Sequence, residues 1–120
     1  MTDTDTPRPE GDRDRDQVPG AAITALVERV QGSVFVPHDT GYDAERSGFQ
    51  TAFRQHPDVI VGAATAEDVR LAVEFAAAHG LPVAVQATGH APAEATDGGV
   101  LITTRRMDAV LVDPAARTAW

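Results

Sequence analysis

VAVQATGHAPAEATDGGVLI, residues 83–102, is the stretch that decides the fold. It begins with an apolar strand, turns at Gly89 and His90, and enters a second apolar strand through Gly98 and Gly99. Small residues after a strand let backbone N–H groups come close to a phosphate. His90 adds a nucleophilic imidazole beside that turn. The stretch therefore predicts two strands joined by a loop whose backbone is open to a ligand.

A helix precedes this stretch and connects it to an earlier strand. Residues 58–62, DVIVG, have the apolar pattern of a buried strand. Thr65 stands three residues before Asp68, the spacing of a capping box, in which each side chain accepts from an otherwise unpaired N–H. The helix ends at Gly80, and its predicted apolar stripe is Val69, Ala72, Val73 and Ala76. This is a βαβ unit, whose strands are expected to run parallel with a right-handed crossover.

The segments on either side of this unit are predicted from shorter patterns. Residues 21–31 have the apolar spacing of an amphipathic helix, and residues 33–36 form a short strand candidate. Residues 42–53 are expected to form a second helix that carries Phe49 and Phe53 on one face as packing residues. Residues 109–112 and 117–120 are expected to pair as a hairpin around a type I turn, DPAA at 113–116.

Composition excludes several classes of partner and site. The 120 residues carry a formal net charge of −8, so nucleic acid and anionic membranes are not expected to bind. There is no cysteine, which excludes disulfides and thiolate metal sites in this segment. Residues 1–18 are acidic, dotted with arginine and poor in large apolar side chains, which predicts a disordered tail. A soluble, cytoplasmic protein is the expectation.

The residues alone leave the role of the two strand ends open. Ligands of open α/β sheets bind beyond the carboxyl ends of parallel strands, here the turn at 62–64 and the loop at 86–91. The first turn leads into a helix N-terminus, which favours an anion. Small residues in these positions also serve tight turns, and neither a Walker lysine motif nor G-x-G-x-x-G is present. Phosphate binding and a tight turn therefore both remain hypotheses at this point.

A family resemblance covers about residues 30–120. Residues 56–90, HPDVIVGAATAEDVRLAVEFAAAHGLPVAVQATGH, resemble the first flavin-contacting segment of FAD-dependent oxidoreductases of the vanillyl alcohol oxidase and berberine bridge enzyme type. Upstream, VPHD at 36–39 and YDAER at 42–46 look like the family's Pro-Gly-Asp and its Tyr-Asp and Arg. Downstream, residues 98–119 resemble its Gly-Gly, apolar strand, Arg-Met turn and Asp-Pro hairpin. The order and spacing of these motifs carry the resemblance, since none is specific by itself.

The resemblance implies a fold and a cofactor. The fold would be α+β, a βαβ unit plus an antiparallel hairpin, forming the first subdomain of a PCMH-type FAD-binding domain. The implied domain boundaries are a tail at 1–18, a lead-in at 19–55 and a partial FAD-binding subdomain at 56–120. The implied cofactor-binding residues around the FAD pyrophosphate are Gln86, Ala87, Thr88, Gly89, His90 and Ala91. His90 matches the histidine that many members join through a ring nitrogen to the flavin 8α-methyl carbon.

Three residues of this loop depart from the family pattern. Gln86 stands where Arg is usual, Thr88 replaces the first glycine of Gly-Gly-His, and Ala91 replaces a frequent Ser or Asp. Thr88 has a Cβ, so the loop must adjust if that position needs a positive φ. His38, His56, His79 and His90 match no metal-ligand spacing, and Arg105-Arg106 is expected to be a solvated turn.

The functional expectation is the N-terminal part of an FAD-dependent oxidoreductase. The complete enzyme would oxidise a small organic substrate by hydride transfer to FAD, with oxygen as the acceptor. Its substrate domain and catalytic base are expected beyond Trp120. Two alternatives stay open: a free-standing α+β ligand-binding or interaction module without catalysis, and a remnant of the flavin domain that has lost its activity.

We expect residues 1–120 alone to bind FAD weakly or not at all, because only one side of the cofactor cleft would be present. Isothermal titration of this chain with FAD measures the affinity directly. A dissociation constant below the micromolar range would contradict this expectation.

Overall fold

The computed structural model describes residues 18–91 and 95–120. The helices are α1 (Gly20–Arg29), α2 (Tyr42–Arg46) and α3 (Ala66–Ala78). The strands are β1 (Ser33–Phe35), β2 (Val59–Gly62), β3 (Val83–Gln86), β4 (Val100–Thr103), β5 (Val112–Asp113) and β6 (Thr118–Ala119). The predicted disordered tail lies outside the described residues, except for Val18. No helix in these two ranges is long and apolar enough to cross a membrane.

Strands β1 to β4 form one sheet in the order β1-β2-β4-β3. β2, β4 and β3 run parallel, and β1 joins β2 antiparallel. The parallel βαβ unit is confirmed, although β4 lies between its two strands. β3 is consequently at an edge of the sheet. The chain between β3 and β4 must return along the length of the sheet, since both strands run in the same direction.

The sheet separates two apolar layers. On one face, α1 and α3 cover a cluster that includes Leu26, Val59, Val61, Leu71, Ala72, Phe75, Val100 and Ile102. On the other face, Ile60 and Leu101 pack against Tyr42 of α2. β2 and β4 are buried at every position because both of their faces are covered. These two buried strands form the centre of the sheet and position the turns at their carboxyl ends.

The apolar face of α3 differs from the predicted stripe. Leu71 and Phe75 are buried together with Ala72 and Ala76, whereas Val73 is 47% exposed. The buried positions recur at spacings of three and four residues, as they do along one helix face. The two largest apolar side chains of the helix therefore define its core face, and Val73 lies beside it.

The second helix is shorter than predicted. α2 ends at Arg46, and Ser47 is extended with φ −79° and ψ 135°. Phe49 and Phe53 consequently share no helical face, and they are 65% and 40% exposed. Tyr42, at the start of α2, is buried, and its hydroxyl donates to the Pro57 carbonyl at 2.6 Å.

The predicted hairpin is confirmed, with a longer turn. Leu111 and Trp120 exchange two backbone hydrogen bonds of 2.8 Å. The Asp113 carboxylate accepts from the N–H groups of Ala115 and Ala116, each at 3.0 Å. Arg117 has a φ of 56°, so the second strand resumes at Thr118, one residue later than expected.

Asp68 joins the N-terminus of α3 to the turn between α1 and β1. Its fully buried carboxylate accepts from the backbone N–H groups of Gln31, Gly32 and Ala64, each at 2.9 Å. The Thr65 hydroxyl accepts from the Asp68 N–H at 3.2 Å, as the capping box predicted. Burial would raise the pKa of Asp68, but these backbone N–H groups outweigh it and lower the pKa.

Replacing Asp68 with Ala is expected to lower the free energy of unfolding by about 2–4 kcal/mol, because three N–H groups lose their acceptor. Urea denaturation at neutral pH measures this. Glu67→Ala is the matched control, since its carboxylate is exposed and forms a surface ion pair with Arg70, and its effect should be much smaller.

The same pair of proteins tests the pKa of Asp68. A carboxyl whose folded pKa is depressed contributes stability above its unfolded pKa of about 3.9, and this contribution is lost as the pH falls through the folded pKa. The difference in stability between wild type and Asp68→Ala should therefore shrink below about pH 4. A difference that stays constant down to the acid limit of folding would contradict the depressed pKa.

Candidate functional site

An open groove of about 760 Å³ lies along β3 and the loop that follows it. Its lining is formed by residues 82–91 together with Gln55, Ala95, Thr96 and Asp97. All six predicted cofactor-binding residues, 86–91, are among them. The groove lies at the sheet edge because β3 has no neighbour on that side in the described part of the chain.

Loop 86–91 is held by the segment that follows α2. The N–H of Phe49 donates to the Thr88 carbonyl at 2.8 Å, and the N–H of Gln50 donates to the Gly89 carbonyl at 3.0 Å. The two backbones approach so closely that a Cβ on Gly89 would lie 2.6 Å from the Cα of Gly48. Glycine is therefore needed at residue 89 for close approach as well as for its φ of 74°.

The return of the same chain toward β4 is held by residues 55–58. The N–H of His56 donates to the Thr96 carbonyl at 2.7 Å, and the N–H of Gly98 donates to the His56 carbonyl at 2.8 Å. The buried Gln55 side chain accepts from the Thr96 N–H at 2.6 Å, and the Asp58 carboxylate accepts from the Gly99 N–H at 2.8 Å. Both ends of the connection are thus fixed to residues 48–58.

Thr88, which replaces a glycine of the family pattern, does not require a positive φ. Among the described residues, the non-glycine positions with positive φ are His38 and Arg117, so Thr88 is not one of them. The left-handed conformation falls on Gly89 alone. His38 stands where the resemblance places the glycine of Pro-Gly-Asp. Its φ is 81°, so a residue with a Cβ adopts the left-handed conformation at that position.

Gln86 fills an internal position at the start of the loop. It is buried, and its side-chain amide donates to the Arg46 carbonyl at 3.3 Å. Its own carbonyl accepts from the Thr104 N–H at 3.1 Å, which ties the loop to the residue after β4. Gln86 therefore supports the loop from behind, while Ala87, Thr88, His90 and Ala91 are exposed.

His90 is held by two contacts that the sequence did not indicate. Its Nδ1 lies 2.7 Å from the Thr88 hydroxyl oxygen. Its ring stacks on the ring of Phe49, with centroids 3.9 Å apart and an interplanar angle of 12°. The expectation that Phe49 is a packing residue is therefore wrong. The predicted helix ends at Arg46, so Phe49 lies outside it and is free to stack on His90.

Glu45 and Arg106 form a clamp at the carboxyl ends of β2 and β4. Arg106 binds both oxygens of the buried Glu45 carboxylate, at 2.6 and 3.0 Å, and the Thr103 hydroxyl donates to one of them. Burial would raise the pKa of Glu45, but hydrogen bonds from Arg106 and Thr103 prevail and lower it. Arg105 donates to the carbonyls of Glu45 and Ser47, each at 2.9 Å. These arginines do lie in an exposed turn, as expected, and in addition they bind Glu45 and Ser47.

The turn at residues 62–64 is not open to an external anion. The Asp68 carboxylate already accepts from the Ala64 N–H and supplies negative charge at the N-terminus of α3. Arg106 covers Gly62 so closely that a Cβ there would overlap its guanidinium group. Of the two strand ends considered as anion sites, loop 86–91 is the one that remains accessible.

The free backbone donors of loop 86–91 fit an anionic cofactor. No backbone N–H of residues 87–91 donates to any residue in the described ranges, whereas the carbonyls of Thr88 and Gly89 are bound from behind by residues 49 and 50. The side chains of Ala87 and Ala91 are small enough to leave these N–H groups accessible. Donors that are free and closely spaced are what phosphate oxygens require.

The remaining histidines do not join His90. His79 ends α3 with its ring 4.6 Å from that of Phe75, and the Nδ1 of His56 lies 3.5 Å from a nitrogen of Arg46. Within the described residues, no group of three or more His, Asp or Glu side chains is arranged to hold a metal ion.

Residues 57–120 match the family described as FAD binding domain. The chain belongs to this family. Its similarity to (R)-6-hydroxynicotine oxidase of Paenarthrobacter nicotinovorans is 33% identity over 92 residues, 75% of this chain and 20% of that protein. The resemblance to flavin-dependent oxidases of the vanillyl alcohol oxidase and berberine bridge enzyme type is thereby confirmed.

Solved structures of this FAD-binding family share the fold. The crystal structure of 6-hydroxy-D-nicotine oxidase from Arthrobacter nicotinovorans superimposes with a TM-score of 0.70 at 33% identity, over 75% of this chain and 20% of that one. Xylooligosaccharide oxidase from Myceliophthora thermophila C1 gives 0.69 at 26% identity, over 82% and 22%. BBE-like 1 of Physcomitrella patens gives 0.69 at 22% identity, over 81% and 22%. The α+β fold of a PCMH-type FAD-binding domain is confirmed, and the chain spans about a fifth of the length of these relatives.

Substitutions at Gly80, after α3, and at Gly89, in the loop, separate the cost of backbone strain from that of close approach. Gly80 and Gly89 both have positive φ, 63° and 74°, but a Cβ at Gly80 meets nothing within 4 Å. Gly80→Ala is expected to cost about 1 kcal/mol. Gly89→Ala should cost about 1–3 kcal/mol more, because residues 48 and 89 must move apart. Urea denaturation compares them, and equal losses would contradict the close approach.

Proposed function

We propose that this chain supplies the pyrophosphate loop and the flavin-linking histidine of an FAD-dependent oxidoreductase. Loop 86–91 holds the FAD pyrophosphate through its backbone N–H groups, and His90 bonds to the 8α-methyl carbon of the flavin. The complete protein oxidises a small organic molecule and passes the electrons to oxygen. Membership of the FAD-binding family favours this function over that of a module without catalysis.

The free backbone donors of the loop are the observation that carries this proposal. A pyrophosphate places several anionic oxygens within a few ångströms, and consecutive N–H groups can meet them without a basic side chain. Gln86, where relatives commonly have Arg, is buried and neutral, so the backbone must supply the stabilisation here. The carbonyls of Thr88 and Gly89 are engaged by Phe49 and Gln50, which keeps carbonyl dipoles from competing with the phosphate.

The position of His90 supports a covalent role. Its side chain is exposed at the end of the loop, beside the groove, and its ring is fixed by Thr88 and Phe49. A covalent bond at this residue would retain the cofactor through many catalytic cycles. When bound, FAD supplies the redox chemistry by accepting a hydride from the substrate, and the protein binds, orients and tunes it.

The substrate class is proposed only broadly. The similar proteins are named for 6-hydroxynicotine and for xylooligosaccharide, which are chemically unlike each other. A segment common to both is therefore expected to serve the cofactor, while substrate recognition is supplied by the remainder of the complete protein. The word oxidase in both names supports oxygen as the electron acceptor.

His90→Ala tests the covalent link. The complete wild-type protein, denatured and weighed by mass spectrometry, is expected to carry the additional mass of one FAD, and the variant is expected to lack it. His79→Ala is the matched control, since that residue lies at the end of α3 and away from the groove, and it should keep the added mass. An added mass that survives His90→Ala would contradict the assignment.

A further inference from the structure

The imidazole of His90 is oriented by its neighbours although it is exposed. The Thr88 hydroxyl lies 2.7 Å from Nδ1, within hydrogen-bond distance. Phe49 lies parallel to the ring at 3.9 Å, which opposes tilting out of that plane. One contact acts at a ring atom and the other on a ring face, so together they restrict both side-chain torsions of His90.

The residues that orient His90 are themselves fixed to its loop. The N–H of Phe49 donates to the carbonyl of Thr88, and the N–H of Gln50 donates to the carbonyl of Gly89. The backbone that carries the Phe49 ring is therefore bonded to the two residues directly before His90. A displacement of the loop would carry Phe49, Thr88 and His90 with it as one unit.

The two nitrogens of this ring are chemically unequal as a result. An atom bonded to Nδ1 in the ring plane would occupy the space that the Thr88 oxygen holds. Nε2 has no partner among the described residues. A neutral imidazole has one N–H and one lone pair, so in the tautomer whose Nδ1–H donates to Thr88 the lone pair is on Nε2.

We propose that Thr88 is a positioning residue that makes Nε2 of His90 the nitrogen that bonds to the flavin. This inference rests on the proposed covalent function. Attachment exchanges a C–H bond of the 8α-methyl group for a C–Nε2 bond, with loss of the Nδ1 proton. The two electrons and two protons released are taken up by dioxygen, which becomes hydrogen peroxide. The Thr88 hydroxyl accepts from Nδ1–H beforehand and donates to the bare Nδ1 afterwards.

Thr88→Val and Thr88→Ser form the matched pair. Valine keeps the β-branched shape without the hydroxyl, and serine keeps the hydroxyl. In the complete protein labelled with ¹⁵N-histidine, NMR of the isolated flavin peptide identifies the linked nitrogen, and denatured mass against time after FAD addition gives the rate. Wild type and Thr88→Ser should link through Nε2, and Thr88→Val should link about three- to tenfold more slowly.

Two results would overturn the positioning role. One is linkage through Nδ1 in the wild type. Another is a Thr88→Val protein that links through the same nitrogen at the wild-type rate. Thr88 is exposed, so thermal unfolding of Thr88→Val should match that of wild type and separate slow linkage from misfolding.

Failure of the covalent function is recognised separately. If no flavin is linked even in the wild type, the ¹⁵N spectrum of His90 in the complete protein still decides the role of Thr88. A proton held on Nδ1 in the wild type, and shared between the nitrogens in Thr88→Val, supports positioning. Identical spectra in the two proteins, or a wild-type proton on Nε2, would overturn it.

Discussion

The Asp68 carboxylate holds together two turns that are distant in sequence, and the rest of the structure depends on that contact. It accepts from Gln31 and Gly32, 37 and 36 residues away, and from the adjacent Ala64. Gly32 is thereby pressed against the Gly62 carbonyl, where no Cβ would fit, and β1 is placed beside β2. The same carboxylate neutralises the N-terminus of α3. The position that an external anion would otherwise take is already filled, and the accessible donors are those of loop 86–91.

Local sequence signals predicted much of this fold. β3 and β4 begin and end where the apolar runs 83–86 and 100–103 do, because glycine, proline and small polar residues border them. The capping box at Thr65 and the stop at Gly80 likewise depend on neighbours in the chain. The insertion of β4 between β2 and β3 could not be deduced, because a parallel βαβ pattern fixes strand direction and leaves open which strand lies next to which.

The contacts that the sequence did not predict around the candidate site join residues that lie far apart along the chain. The sequence predicts the exposed turn at Arg105-Arg106 but gives no sign that Arg106 binds Glu45, 61 residues earlier. Phe49 is predicted within a helix, but that helix ends at Arg46, and a Cβ on Gly48 would lie 2.9 Å from the Cα of Gly89. The sequence predicts a loop at 86–91, whereas Phe49, which binds Thr88 and stacks on His90, carries no local signal of that role.

These long-range contacts connect loop 86–91, residues 45–50 and residues 104–105 to one another around the candidate site. Loop 86–91 is bonded to residues 49 and 50, Arg105 binds the carbonyls of Glu45 and Ser47 just before them, and Thr104 donates back to Gln86. Loop 86–91 therefore cannot shift at Gln86, Thr88 or Gly89 without breaking a hydrogen bond. An exposed histidine usually samples several rotamers, at a cost in entropy when it must react in one of them. Here these hydrogen bonds fix the backbone of the loop, and contacts with Thr88 and Phe49 fix the ring. The imidazole is therefore already oriented before a ligand arrives.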